Sequence, residues 1–222
     1  MRTVLGCAWL LLLLGVATTA TARHHRNASD AVPGRFDYYL LSLSWSPAFC
    51  LDSPQSAECQ GSRRYGLIVH GLWPQLDDGE RIGHCNVRSQ VDERVANGML
   101  DLMPATGLIY HEWSAHGTCS GLEPGEYFAQ VRRARGEFAV PAVLAEPGAP
   151  ITQRTATLLE QLRAANPRFP DDSVIVTCSG QDVPRLREVR ACVDRELQPR
   201  RCGADVLRAA CRAPQLLIPP LR

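Results

Sequence analysis

Apolar positions in this chain fall into short runs, most of them closed by proline or glycine. The first, Val4 to Ala17, centres on Leu10 to Leu14, follows Arg2, and leads into Ala20-Thr21-Ala22. A positive start, a short apolar core and a small-residue site make a signal peptide, so residues 1–22 are expected to be removed on export. The core is short for a membrane-spanning helix, which needs about 20 apolar residues. Cys7 lies inside the run rather than at its end, which argues against lipoprotein processing. Residues 23–35, with His24 and His25, read as a disordered lead-in. No repeat or low-complexity linker follows, so 36–222 reads as one domain.

Within that domain, Phe36 to Trp45 and Leu67 to Trp73 are predicted strands, ended by Pro47 and Pro74. Val91, Val95, Met99 and Leu102 recur at helical spacing and predict a helix over 91–103, before Pro104. Pro124-Gly125 breaks the chain ahead of a helix over 126–135. Ile151, Thr155, Leu158, Leu159 and Leu162 share one helical face and predict a helix over 150–165, stopped before Pro167. Strands are predicted at 174–177 and 188–193. Helices and strands mix without regular alternation, which favours an α+β fold over a doubly wound sheet.

Composition narrows the chemistry. All 24 basic residues are arginine, and without lysine there is neither Schiff-base chemistry nor a P-loop. The formal net charge is +1 and falls to about zero once Arg2 leaves, so charge alone does not point to a polyanion. Residues 151–222 are richer in arginine than in acids, which reads as a solvated surface.

Eight cysteines remain after the signal: Cys50, Cys59, Cys85, Cys119, Cys178, Cys192, Cys202 and Cys211. An even number in an exported chain implies a disulfide framework, with about 105 possible connectivities for eight cysteines. Zinc is the competing use, but the chain contains no CxxC pair.

The histidines carry the candidate chemistry. His84 sits in a polar loop and reads as surface. His70 interrupts an apolar strand in LIVHGLWP; Gly71 beside it lets another group approach closely, and Trp73 is expected on the same face. An imidazole beside an indole suits base stacking, and equally suits plain packing. In HEWSAHGTC, a helical projection gathers His111, Glu112, Ala115 and His116 on one side and leaves Trp113 to anchor the core. Glu112 and His116, four apart, can touch. The zinc-protease pattern HExxH is missed by one position, and no GxSxG nucleophile motif occurs. Two or three histidines and a carboxylate, without metal set or activated nucleophile, suit proton transfer at both ends of one bond. RNA fits, because its 2′-hydroxyl is its own nucleophile.

At these residues the sequence resembles the ribonuclease T2 family. The resemblance rests on His70-Gly71-Leu72-Trp73-Pro74, on His111 to Cys119 (HEWSAHGTC), and on Tyr39 to Pro47 followed by Cys50. It implies an α+β fold with a central antiparallel sheet and flanking helices, stapled by disulfides. It also implies an exported, secreted or periplasmic, metal-independent endoribonuclease without cofactor. Such an enzyme cleaves single-stranded RNA to 2′,3′-cyclic phosphate ends. Carried over, His116 is the general base, His70 the general acid, His111 a phosphate contact, Glu112 a polarising or tuning group, and Trp73 a base platform. The family pattern implies bridges Cys50–Cys59, Cys85–Cys119, Cys178–Cys211 and Cys192–Cys202. A monomer without membrane attachment is expected after signal cleavage. Ala115 departs from the family, which usually has lysine before the last histidine, so any replacement cation is an arginine or His111. Arg63 and Arg64 are candidates by proximity. The same departure motivates an alternative: a weakly active or inactive member that binds RNA or another partner.

Overall fold

The computed structural model describes residues 31–180 and 182–221. The predicted signal peptide, Cys7, His24 and His25 lie outside the described residues. Residues 31–35, assigned by sequence to the lead-in, are placed on the domain, with the Gly34 N–H donating to the Cys119 carbonyl at 2.9 Å.

Strand β1 (Tyr38–Trp45) shows how the sequence builds the sheet. Its odd positions, Tyr39, Leu41, Leu43 and Trp45, enter the main core. Tyr38 and Leu40 join a smaller cluster with Ile175, Cys192, Cys202 and Val206. Ser42 and Ser44 alternate with the core positions, so this second face turns polar along the strand. On one side β1 pairs antiparallel with β2 (Leu67–Gln75), and on the other with β5 (Arg185–Val193). Strand β4 (Val174–Ser179) pairs antiparallel with β5. An antiparallel pair distant in sequence, β3 (Ile151–Arg154) and β6 (Gln215–Ile218), joins β5 through one parallel bridge, Arg185 with Leu217. The sheet is thus antiparallel except at that bridge.

Most helices pack on the main core, and the last one places Val206 in the smaller cluster on the other face. Those before the middle of the chain are α1 (Ser46–Asp52), α2 (Ala57–Gln60), α3 (Glu93–Asn97) and α4 (Thr106–Ala115). Then come α5 (Pro124–Gly136), α6 (Ala142–Ala145), α7 (Thr155–Ala165) and α8 (Ala204–Arg208). Helix α5 starts two residues before the predicted 126, because Pro124 fits its first turn, where the missing N–H costs nothing; the Glu123 N–H donates to the Glu126 carboxylate. It buries Tyr127, Phe128, Val131 and Ala134 in the main core, to which Leu158 and Leu162 of α7 also belong.

Two predicted helices are corrected. Over 91–103 only Glu93–Asn97 is helical. Gly98 closes the turn, and the Leu102 carbonyl is diverted to the Val69 N–H of β2 at 2.9 Å. Over 150–165 the helix begins only at Thr155, because Ile151–Arg154 is drawn into pairing with β6. Hydrogen bonds to a strand distant in sequence override a local helical period in both places. The cysteine pairs are Cys50–Cys59, Cys85–Cys119, Cys178–Cys211 and Cys192–Cys202, as the resemblance implies.

Candidate active site

His70 owes its position to an irregularity in the edge strand. Opposite β1, Gly71 pairs with Ser42 and Val69 with Leu43, which leaves His70 as the extra residue of a β-bulge. The shared face expected from sequence does not come from alternation, since in a regular strand His70 and Trp73, three positions apart, would point to opposite faces. The bulge supplies the missing half-step and brings their rings to 5.2 Å.

The second segment arrives on α4 and the turn after it. Trp113 is buried and its Nε1 donates to the Ser89 carbonyl at 2.9 Å, so the predicted anchor holds. The helix ends at Ala115, and His116 has left helical geometry with φ −130° and ψ −48°. The following Gly117–Cys119 forms a short 3-10 turn. A side chain at Gly117 would overlap the rings of Trp113 and Tyr127. The Cys85–Cys119 bridge then ties this turn to the loop that carries His84.

Glu112, only 1% exposed, links the two segments. The Trp73 Nε1 donates to Glu112 Oε2 at 2.7 Å. Glu112 Oε1 lies 3.5 Å from His70 Nε2. The contact of Glu112 with His116 runs through the backbone, the His116 N–H donating to the Glu112 carbonyl at 3.0 Å. Gly71 makes the arrangement possible, since a Cβ there would overlap both Glu112 Oε2 and Trp73 Nε1. The His116 ring stacks on Trp73 at 5.0 Å. Among the described residues its buried Nδ1 has no hydrogen-bond partner.

Two residues of this cluster were not identified from sequence. Glu188 and Arg190 lie on β5 opposite Ser44 and Ser42, on the polar side of the sheet. Glu188 is 1% exposed, and its Oε1 is 2.8 Å from His70 Nδ1. Its Oε2 accepts from Arg190 Nε at 2.9 Å and Nη2 at 2.7 Å. The arginine also places its guanidinium carbon 5.3 Å from the Trp73 ring centroid. The only signal in the sequence was the spacing of Glu188 and Arg190, two apart in a predicted strand and so on one face, where a buried carboxylate needs a paired cation.

His111 and His84 are exposed, and the His84 N–H donates to the Ala115 carbonyl at 2.9 Å. Ala115 is itself buried, beneath the segment that carries Gly83 and His84. Arg63 lies outside the cluster, over the Tyr65 ring at 5.2 Å.

The environments push the two central histidines apart. Burial pushes His116 down to about 4, helped by the nearby His111, His70 and His84. Burial also opposes the charged form of His70, but the Glu188 hydrogen bond and the charges of Glu112 and Glu188 outweigh it and raise its pKa. Glu188 is buried too, yet His70 and Arg190 hold it ionised, at about 2. Glu112 goes the other way: burial raises it to about 7 against the pull of His70 and Trp73. Above about pH 4 the His116 imidazole is therefore neutral while His70 still favours its protonated form.

A cavity of about 290 Å³ opens beside His70, lined among others by Ser44, Phe49, Glu58, Ile68 and Leu108. Apolar walls with a few polar groups suit a flat ring. Glu58 is buried and bound by the Ser46 hydroxyl at 2.8 Å. Among the described residues, the cluster of possible metal donors is Cys50, Glu58 and Cys59, and its two sulfurs are joined in a disulfide.

Fold and site together define a member of the Ribonuclease T2 family, whose family model matches residues 36–202. The chain belongs to that family. A ribonuclease of Aeromonas hydrophila is 42% identical over 94 residues, 42% of each chain. Ribonuclease DdI of Dictyostelium discoideum is 30% identical over 202 residues, covering 85% of this chain and 86% of that one. In three dimensions the chain is similar to a variant of bitter-gourd ribonuclease MC1 in complex with 5′-UMP. That likeness has a TM-score of 0.66 at 22% identity, over 83% of this chain and 98% of the other.

Proposed function

We propose that the protein is an endoribonuclease that cleaves single-stranded RNA by transesterification, with His116 as general base and His70 as general acid. The observation that carries this reading is the opposite tuning of two imidazoles that both lie against Trp73. In the reaction, His116 takes the proton of the 2′-hydroxyl while the 2′-oxygen attacks phosphorus. The bond from phosphorus to the 5′-oxygen breaks, and His70 gives its Nε2 proton to that leaving oxygen. A 2′,3′-cyclic phosphate and a free 5′-hydroxyl result.

Each neighbour has a role in this scheme. Glu188 accepts from Nδ1 of His70, which fixes the ring and leaves the Nε2 proton facing the site. Glu112, buried with Oε1 3.5 Å from His70 Nε2 and Oε2 on Trp73, tunes the acid and orients the indole from behind the reacting phosphate. Trp73 positions Glu112 and His116, and its half-buried ring gives a base a surface to stack on. His111, exposed beside the cluster, is suited to contact phosphate. The cavity beside His70 accommodates the base that follows the leaving oxygen. The four disulfides support an oxidising compartment, secreted or periplasmic.

The pH dependence follows from the tuning. Cleavage requires His116 neutral and His70 protonated. Activity should therefore rise as pH passes upward through about 4, where His116 loses its proton. It should fall only above the ordinary histidine range, because His70 is raised. A rate profile from pH 3 to 9 checks this, and a flat profile would remove the two-histidine scheme.

The direct test incubates oxidised mature protein with single-stranded RNA and excess EDTA at mildly acidic pH, and reads fragment ends by mass spectrometry. Fragments ending in 2′,3′-cyclic phosphate are expected. The second reading, an RNA- or partner-binding protein with little turnover, is favoured by Ala115, a small buried residue where the family usually has lysine. Intact RNA that is nevertheless bound would select it.

A further inference from the structure

Transesterification at phosphorus adds negative charge to the two non-bridging oxygens as the five-coordinate transition state forms, and a fixed cation at that point lowers the barrier. The chain has no lysine, and His116 must be neutral to act as base. A permanent cation at this site must therefore be an arginine. Resting on the reading above, we propose that Arg190 is the residue that holds a non-bridging phosphoryl oxygen during cleavage.

The geometry gathers three groups around one indole. The ring centroids of His70 and His116 lie 5.2 Å and 5.0 Å from that of Trp73, and the Arg190 guanidinium carbon lies 5.3 Å from it. A phosphate bridging the two imidazoles lies beside the same indole over which the guanidinium sits. The arginine is also rigidly held. Its side chain is 19% exposed, and Glu188 Oε2 engages it through Nε and Nη2. Guanidinium has five N–H donors in a fixed fork, and among the described residues Nη1 makes no hydrogen bond. That nitrogen remains to bind an oxygen anion.

Glu188 connects the acid and the cation. One oxygen holds His70 and the other holds Arg190, so a single buried carboxylate sets the spacing between the proton donor and the charge that receives the developing oxyanion. Register explains the pairing. Glu188 and Arg190 are two apart on β5, opposite Ser44 and Ser42, and so share one face. The bulge in β2 turns His70 to that face as well.

A purely structural Arg190, acting only as counter-ion to Glu188, must be told apart from one that touches substrate. Arg190→Gln and Arg190→Lys would be compared with the unaltered protein on an RNA carrying a single sulfur in place of either non-bridging oxygen at one scissile phosphate. Direct contact predicts that kcat on normal RNA falls by on the order of 10² in Arg190→Gln, with KM little changed. It also predicts that sulfur at one stereochemical position slows the unaltered protein strongly, and that this penalty largely disappears in both variants. A fall in kcat with the sulfur penalty intact, or accompanied only by a shift of the alkaline limb of the pH profile, would overturn the contact. Activity unchanged in Arg190→Gln would do so too. Failure of the unaltered, correctly disulfide-bonded protein to cleave normal RNA would instead overturn the endonuclease reading, and the role of Arg190 with it.

Discussion

His116→Ala is expected to lower RNA cleavage by about 10³ at pH 6, and His70→Ala by a similar factor, because each removes one end of a coupled proton transfer. The two losses should differ in kind. Without His70 the 5′-oxygen leaves unprotonated, so the penalty depends on how poor a leaving group it is. A substrate whose leaving group is a nitrophenolate needs no proton, and His70→Ala should turn it over within about tenfold of the unaltered protein. His116→Ala should stay defective on that substrate, since the 2′-hydroxyl still needs a base. Rescue in the opposite sense would exchange the two roles, and rescue of both or neither would remove the assignment. Removing His70, part-exposed on an edge strand, leaves Glu188 still paired with Arg190, and circular dichroism checks the fold. For His116, circular dichroism and retained binding of a 2′-deoxy strand serve as controls.

The motif half of the site could be read from the sequence because its residues are contiguous. His70 to Pro74 and His111 to Cys119 carry a strand, a helix end and a bridging cysteine within a few residues of each acting group. The face shared by His70 and Trp73 could not be derived so directly, since regular alternation separates residues three apart. Only pairing with β1 reveals the bulge that joins them. Glu188 and Arg190 were hidden for a related reason. In RLREVRACV the charges resemble a solvated strand of an arginine-rich segment, and their partners lie 118 residues away at His70. The segment Ile151–Arg154 failed in the same way, its helical period being overridden by β6. Local pattern located what acts within one element, and missed what the sheet register brings together.

That dependence on close approach gives Gly71 its weight. In Gly71→Ala the added methyl group occupies the space now shared by Glu112 Oε2 and Trp73 Nε1. Neither can retreat cheaply. Glu112 is 1% exposed at the end of a packed helix, and the Trp73 ring is stacked on the His116 imidazole. Separating them leaves a buried carboxylate oxygen without its donor, a cost of roughly 1–3 kcal/mol. It also displaces the indole that sets the distance between the two histidines. An error of about 1 Å in such a group can cost about 10² in rate, and here two groups move together. Cleavage in Gly71→Ala is therefore expected to fall by about 10³, while β2 keeps its pairing and the protein its fold. Gly107→Ala is the matched control. It adds the same methyl group to the first turn of α4, the helix that carries Glu112, where nothing lies within 4 Å. That variant should keep full activity and gain stability, by up to about 1 kcal/mol. Full activity in Gly71→Ala, measured beside this control on the same RNA, would mean that the Trp73–Glu112 hydrogen bond does not position the reacting groups.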